Sequence, residues 1–92
     1  MIWVVTSTKR VKKQVKKLPQ RVKAALYILV TEIKELGPVR GNWPNYSSLG
    51  SGQHHCHLKK GHPTYVAVWK VIDKEIQIVE IQYAGTYEKT PY

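Results

Sequence analysis

The 92-residue sequence contains one cysteine, few acidic side chains and no long apolar run. A single cysteine excludes an intramolecular disulfide and is typical of a reducing compartment. The longest apolar run, AALYILV at residues 24–30, is far shorter than the roughly 20 residues that a membrane-spanning helix needs. The first positive charges follow the N-terminal apolar stretch, so no signal peptide is predicted. We therefore expect one cytoplasmic domain over residues 1–92, without membrane association.

Positive charge dominates the composition, because 15 Lys and Arg residues stand against six Asp and Glu, giving a formal net charge of +9. Such an excess favours a polyanionic partner, either nucleic acid or an acidic protein segment. Residues 9–17 hold six of the cations and no acidic residue: Lys9, Arg10, Lys12, Lys13, Lys16 and Lys17. A solvated helix face is the simplest interpretation, but such faces normally mix both signs. The single sign favours phosphates or an acidic partner.

Hydrophobic periodicity predicts one strand and two helices in the N-terminal part of the chain. Residues 2–6 are apolar and largely β-branched, which is typical of a strand. Residues 8–18 carry apolar side chains at helical spacing, and Pro19 ends that helix. A broad apolar stripe predicts a second helix over Gln20–Leu36. Residues 37–52 hold most of the glycine and proline and are predicted to form one long loop.

Beyond residue 52 the period changes from 3.6 to 2, which predicts three strands over residues 53–60, 64–72 and 75–83. The last of them changes phase at 78/79, which predicts a β-bulge there. The resulting fold class is α+β, with the order β-α-α-β-β-β. Two N-terminal helices should pack on a twisted, mainly antiparallel four-stranded sheet.

The segment QHHCHLKKGHP at residues 53–63 holds all four histidines and the cysteine. Alternation should turn Cys56 and Leu58 toward the core and His55 and His57 toward solvent. Two histidines are too few for a zinc site, and no acidic residue stands nearby, so a zinc-binding module is a secondary hypothesis. A merely polar strand is another. Imidazoles titrate near neutral pH, as proton transfer requires, so acid–base chemistry is favoured.

The order of these elements resembles the RelE family of ribosome-associated mRNA interferase toxins, within the RelE/ParE superfamily. IWVVTSTKRVKKQVKKLPQRVKAALYILVTEIKELG carries it as the β-α-α half, HHCHLKKG as the first hairpin strand, YVAVWKVIDKEIQIVEI as the hairpin, and GTYEKTPY as the tail. The resemblance implies the toxin of a type II toxin–antitoxin system, an endoribonuclease that inhibits translation by cutting mRNA on the ribosome. It implies an acidic antitoxin as partner and no small-molecule cofactor or metal.

Family toxins are similar in placing basic or histidine side chains on the first hairpin strand, an arginine on the next strand, and an Arg, His or Tyr pair in the tail. By position, the resemblance implies His55 and His57 as the acid–base pair with Tyr87 assisting. It implies RNA or phosphate contacts at Lys59, Lys60, Lys89, Tyr92 and the six cations of residues 9–17. Val66 occupies about the place of the strand arginine. A non-catalytic or gyrase-directed member that binds antitoxin or nucleic acid only is therefore the alternative.

Overall fold

The structure is a computed structural model that describes residues 2–90. Its elements, in chain order, are β1 (Val4–Ser7), α1 (Lys9–Lys16), α2 (Gln20–Leu36), β2 (Ser47–Gly50), β3 (Gln53–Lys59), β4 (Tyr65–Asp73), β5 (Ile78–Thr86) and a 3-10 turn (Tyr87–Lys89). The strands form one sheet in the order β1-β5-β4-β3-β2. β1 runs parallel to β5, and the other neighbours are antiparallel. The predicted α+β class is confirmed, with five strands instead of four.

The additional strand, β2, lies in the segment that the sequence predicts to be a loop. A two-residue turn joins it to β3, and both turn residues have positive φ, 51° at Ser51 and 77° at Gly52. Such a turn matches the twist of the flanking strands and is the common short hairpin connection. The turn is visible in the sequence as Ser-Gly, but four residues are too few to show a period of two.

Both predicted helices are confirmed. Thr8 caps α1, because its hydroxyl accepts a hydrogen bond of 3.1 Å from the backbone N–H of Val11. α2 ends at Gly37, which adopts φ 97°. A Cβ at Gly37 would lie 3.3 Å from the indole nitrogen of Trp3, so the strained φ and the close packing both favour glycine here.

The main core lies between the two helices and one face of the sheet. α1 contacts β5, and α2 contacts β3 and β1. Trp69 of β4 is fully buried, and its indole N–H donates to the carbonyl of Pro38 at 2.9 Å. Both helices, the turn between them and the three central strands contribute the buried side chains of this cluster: Val11, Leu18, Val22, Leu26, Leu29, Ile33, Cys56, Ala67, Trp69, Val79, Ile81 and Ala84.

The opposite face of the sheet carries a smaller cluster of Val66, Val68 and Tyr83. Tyr83 reaches this face because the β4–β5 pairing shifts between Val68 and Trp69, which leaves Gln82 as an extra residue on β5. The bulge predicted at 78/79 is misplaced: β5 begins at Ile78, and the extra residue near that point is on β4. Among residues 2–90, no helix is both long enough and apolar enough to cross a membrane.

Candidate functional site

The histidine-rich segment divides between the two faces of the sheet. His54 points to the helix side and is only 7% exposed. Its ring stacks on Tyr46 and on Trp69 at centroid distances of 5.8 and 5.9 Å, and its Nδ1 lies 2.7 Å from the Tyr46 hydroxyl. Burial lowers the pKa of His54, which favours the neutral ring. His54 is therefore part of the core.

His55 and His57 lie on the opposite face, where they pair in register with Val68 and Val66. Their ring centroids are 6.5 Å apart. The predicted face is therefore confirmed, although both side chains are half-buried and not fully exposed to solvent. Burial lowers the pKa of both imidazoles, and each is lowered further by a neighbour, His57 for His55 and Lys60 for His57. Both shifts favour the neutral ring, which is the form that accepts a proton.

The short strand β2 supplies a partner to His55. Ser47 pairs with His55 in register, and its Oγ lies 2.6 Å from Nε2 of the imidazole. This contact fixes the ring, and its direction depends on the tautomer of the histidine. The sequence gives no signal for Ser47, because the residue falls in the segment predicted to be a loop.

His57 is held through its backbone and lies beside Tyr87. Its N–H donates to the carbonyl of Pro44 at 2.8 Å. Its Nδ1 is buried and has no hydrogen-bond partner among residues 2–90. A proton on that atom would be buried without an acceptor, so this also disfavours the imidazolium. The Tyr87 ring lies 6.0 Å from the His57 ring, between centroids, and the tyrosine is 52% exposed. The three predicted catalytic side chains thus occupy one patch.

A carboxylate on α2 anchors the loop that carries Pro44. Glu32 Oε1 accepts hydrogen bonds from Arg40 Nη1 at 3.2 Å, from Asn42 Nδ2 at 2.9 Å and from Trp43 Nε1 at 2.9 Å. These three donors lower the pKa of Glu32. Since Pro44 directly follows Trp43, this Glu32 clamp positions the backbone of His57 indirectly. The clamp is absent from the sequence prediction because its donors are eight to eleven residues away, in a segment without periodicity.

A buried valine occupies the position at which the sequence resemblance implies an arginine. Val66 faces His57 across the β3–β4 pair and is fully buried. The nearest cations by sequence are Lys59 and Lys60, which are exposed at the end of β3. Lys60 is close enough for its charge to lower the pKa of His57. Its ammonium thus adds positive charge beside this patch.

The basic helix α1 lies on the other side of the sheet from the histidines. It packs on β5 through Val11, and Gln14 Oε1 accepts from the N–H of Ala84 at 3.1 Å. A groove of about 380 Å³ on α1 is lined by Lys9, Arg10, Lys13, Gln14 and Lys17. A neighbouring cleft of about 390 Å³ shares Lys17 and also includes Lys89, two residues beyond Tyr87. Lys12 and Lys16 are exposed. Tyr92 lies outside the described residues.

The described part of the chain, residues 2–90, contains no group of three His, Cys, Asp or Glu side chains that could hold a metal ion. His62 is exposed in the loop after β3. Cys56 is fully buried on the helix side, and burial raises the pKa of its thiol to about 12. A thiol in that state is neither a ligand nor a nucleophile at neutral pH.

No protein-family model and no curated protein matches the sequence. Solved structures do match. The chain is similar to a double mutant of the toxin RelE from E. coli in the free state, with a TM-score of 0.73, 24% identity, and coverage of 96% of this chain and 86% of that chain. It is similar to a chain of the RelE–RelB complex of the archaeon Pyrococcus horikoshii with a TM-score of 0.70 and 13% identity, over 98% of this chain and 100% of that chain. It is also similar to a chain of the toxin–antitoxin complex RelBE2 of Mycobacterium tuberculosis with a TM-score of 0.58 and 20% identity, over 94% of this chain and 99% of that chain. The chain therefore has the RelE fold.

Proposed function

We propose that this chain is a RelE-like toxin of a toxin–antitoxin system and that it cleaves mRNA on the ribosome. The observation that carries the proposal is the patch of His55, His57 and Tyr87, which converge on one face of a RelE fold beside the charge of Lys60. The two imidazoles are half-buried, the exposed phenol of Tyr87 lies beside His57, and imidazoles and phenols are groups that move protons.

The proposed reaction uses only the side chains of this patch and the RNA itself. One imidazole removes the proton of a 2′-hydroxyl, and the 2′-oxygen attacks the adjacent phosphorus. The bond to the 5′-oxygen breaks, and that oxygen takes a proton either from the second imidazole, in the fraction of molecules in which that ring is protonated, or from the Tyr87 phenol. Lys60, with Lys59, stabilises the negative charge that develops on the phosphate. Either His55 or His57 can act as the base.

The expected partners follow from charge and from the matched structures. The net charge of +9 and the single-sign surface of α1 suit ribosomal or messenger RNA, or the acidic segment of an antitoxin. RelE proteins of the same fold are found in complexes with RelB. We expect a cognate acidic antitoxin to bind this chain and a cytoplasmic location for both.

A second candidate is a toxin-fold protein that binds antitoxin or RNA and cuts nothing. Val66 favours it, because a buried valine stands where the resemblance implies a charge-stabilising arginine. The two functions predict different results with purified translating ribosomes. A nuclease releases mRNA fragments with defined 5′ ends, whereas a binding protein stalls translation or has no effect and leaves the mRNA intact.

The decisive variants are His55→Ala and His57→Ala. Loss of a general acid or base typically lowers the rate by about 10²- to 10⁴-fold. Cys56 lies between the two histidines in sequence but points into the core. Cys56→Ser would therefore alter the core and is not a suitable control. His62→Ala is the matched control, since His62 is an exposed histidine outside the patch. If both site variants cleave as fast as the parent, the patch is not catalytic.

A further inference from the structure

A second polar group lies on the histidine face of the sheet, on the side away from Tyr87. It consists of Gln53 on β3, Lys70 on β4, and Glu80 and Gln82 on β5. Gln53 pairs with Lys70, and Lys70 pairs with Glu80, so the four side chains span three adjacent strands. All four are half-buried. The proposed cleavage chemistry uses none of them. We call this set the amide–carboxylate group.

Hydrogen bonds link its amides in one direction. Gln53 Nε2 donates to Gln82 Oε1 at 3.0 Å, and Gln82 Nε2 donates to Glu80 Oε1 at 3.4 Å. The β5 irregularity brings Gln82 to this face together with Tyr83, although the two are consecutive. A carboxylate has about four acceptor sites, so Glu80 keeps capacity for a further donor. Lys70, opposite it, is a donor only.

The amide–carboxylate group is one step along β3 from the catalytic patch. Same-face neighbours on a strand are about 7 Å apart, so Gln53, His55 and His57 form a row of about 13 Å. An unpaired RNA strand that lies along this row brings a neighbouring nucleotide over Gln53 when the histidines hold the scissile phosphate. Glu80 repels a phosphate at that point. An acceptor beside a donor instead matches the edge of a base.

We propose that Gln53, Lys70, Glu80 and Gln82 form a subsite for one unpaired nucleobase that bears an exocyclic amino group. Glu80 accepts from the amino group, and Lys70 or an amide N–H donates to the adjacent ring nitrogen or carbonyl. Uracil fits poorly, because its single N–H lies between two carbonyl oxygens that would face the carboxylate. The placement of the RNA strand rests on the proposed function, whereas the base preference rests on this group alone.

The test is equilibrium binding of non-cleavable hexamers, made entirely of 2′-O-methyl nucleotides. One hexamer contains uridine only, and three others carry A, C or G at a single central position. We expect the parent to bind the amino-bearing hexamers at least about fivefold more tightly than the uridine hexamer, since a good base contact discriminates by roughly five- to hundredfold. The side-chain amide NMR signals of Gln53 and Gln82 should shift with those hexamers.

Glu80→Gln should abolish the preference while leaving affinity for the uridine hexamer within about twofold. Glu35→Gln, the same change at an exposed position on α2, is the control and should keep the preference. If all four hexamers bind with equal affinity and the amide NMR signals of Gln53 and Gln82 do not shift, the subsite is overturned. The toxin proposal is unaffected by that result. If no hexamer binds, the subsite is overturned, and the toxin proposal is decided separately by the assay with translating ribosomes. Unchanged preference in Glu80→Gln shows that the carboxylate is merely a cross-strand partner of Lys70 and also overturns the subsite.

Discussion

Removal of the Glu32 carboxylate should destabilise the fold and impair the site together. Glu32 Oε1 accepts from Arg40, Asn42 and Trp43, and the Arg40 side chain is only 12% exposed. Truncation to alanine leaves that guanidinium largely buried without its carboxylate. Hydrogen bonds to a charged group contribute about 1.5–3 kcal/mol each but are not additive, so we expect Glu32→Ala to cost about 2–3 kcal/mol.

That loss is large for a chain of this size, whose total stability is of order 5–14 kcal/mol. It corresponds to a fall in Tm of roughly 10–20 °C, at about 4–8 °C per kcal/mol for small domains. Glu32→Gln keeps an acceptor and loses the charge, so a smaller cost of about 1–2 kcal/mol is expected. Glu35→Gln, exposed on the same helix, should stay within about 0.5 kcal/mol of the parent. Chemical denaturation at pH 7 measures all three.

The pH dependence of the stability difference between the parent and Glu32→Gln shows whether the charge of Glu32 causes it. The donors lower the pKa of Glu32 from 4.5, so its ionised form stabilises the folded state fully above about pH 4.5. The contribution is lost as the pH falls through the lowered pKa. The gap between the parent and Glu32→Gln should therefore narrow on acidification. A gap that is equally wide at pH 7 and at pH 2 would refute the role of the charge.

Three further outcomes are expected. The cleavage rate should follow a bell-shaped pH profile with its maximum below about pH 6.5, since the base must be neutral, the acid protonated, and both imidazole pKa values are lowered; a maximum above pH 8 speaks against a histidine acid. Replacement of Lys9, Lys13 and Lys17 by Glu should weaken RNA binding more than tenfold and reduce the slope of log K against log salt concentration by about two. Lys34→Glu, the control, should change neither the affinity nor the slope appreciably. Treatment with a chelator should leave Tm unchanged, because two histidines on a strand bind metal too weakly to stabilise the fold; a fall reversed by zinc would establish the metal.

Sequence periodicity predicts the helices of this chain well. The stripe of α2 and its glycine stop define Gln20–Leu36 correctly, because a 17-residue helix repeats its signal several times. Periodicity does not predict β2. It has four residues, and it is a strand because β3 lies beside it, not because of its own composition. Ser47, which contacts His55, is missed with it.

The sequence predicts on which face of the strand His55 and His57 lie, but it does not predict which residues surround them. Alternation places His55 and His57 on one face correctly, because the period of a strand is two. Their contacts with Pro44, Ser47 and Tyr87 join different elements of the fold, and the period of one strand does not predict them. The Glu32 clamp has the same character, since its hydrogen bonds join a helix to an irregular loop.

If the histidine patch cleaves RNA by attack of the 2′-hydroxyl, the chemical groups at the ends of the products must show it. Programmed ribosomes are incubated with the parent, His57→Ala and His62→Ala, and the mRNA fragments are analysed by mass spectrometry. We expect a 2′,3′-cyclic phosphate on the upstream fragment and a 5′-hydroxyl on the downstream one, from the parent and from His62→Ala. His57→Ala should yield about 10²- to 10⁴-fold less. Products with a 5′-phosphate and a 3′-hydroxyl, or undiminished cleavage by His57→Ala, would contradict the mechanism.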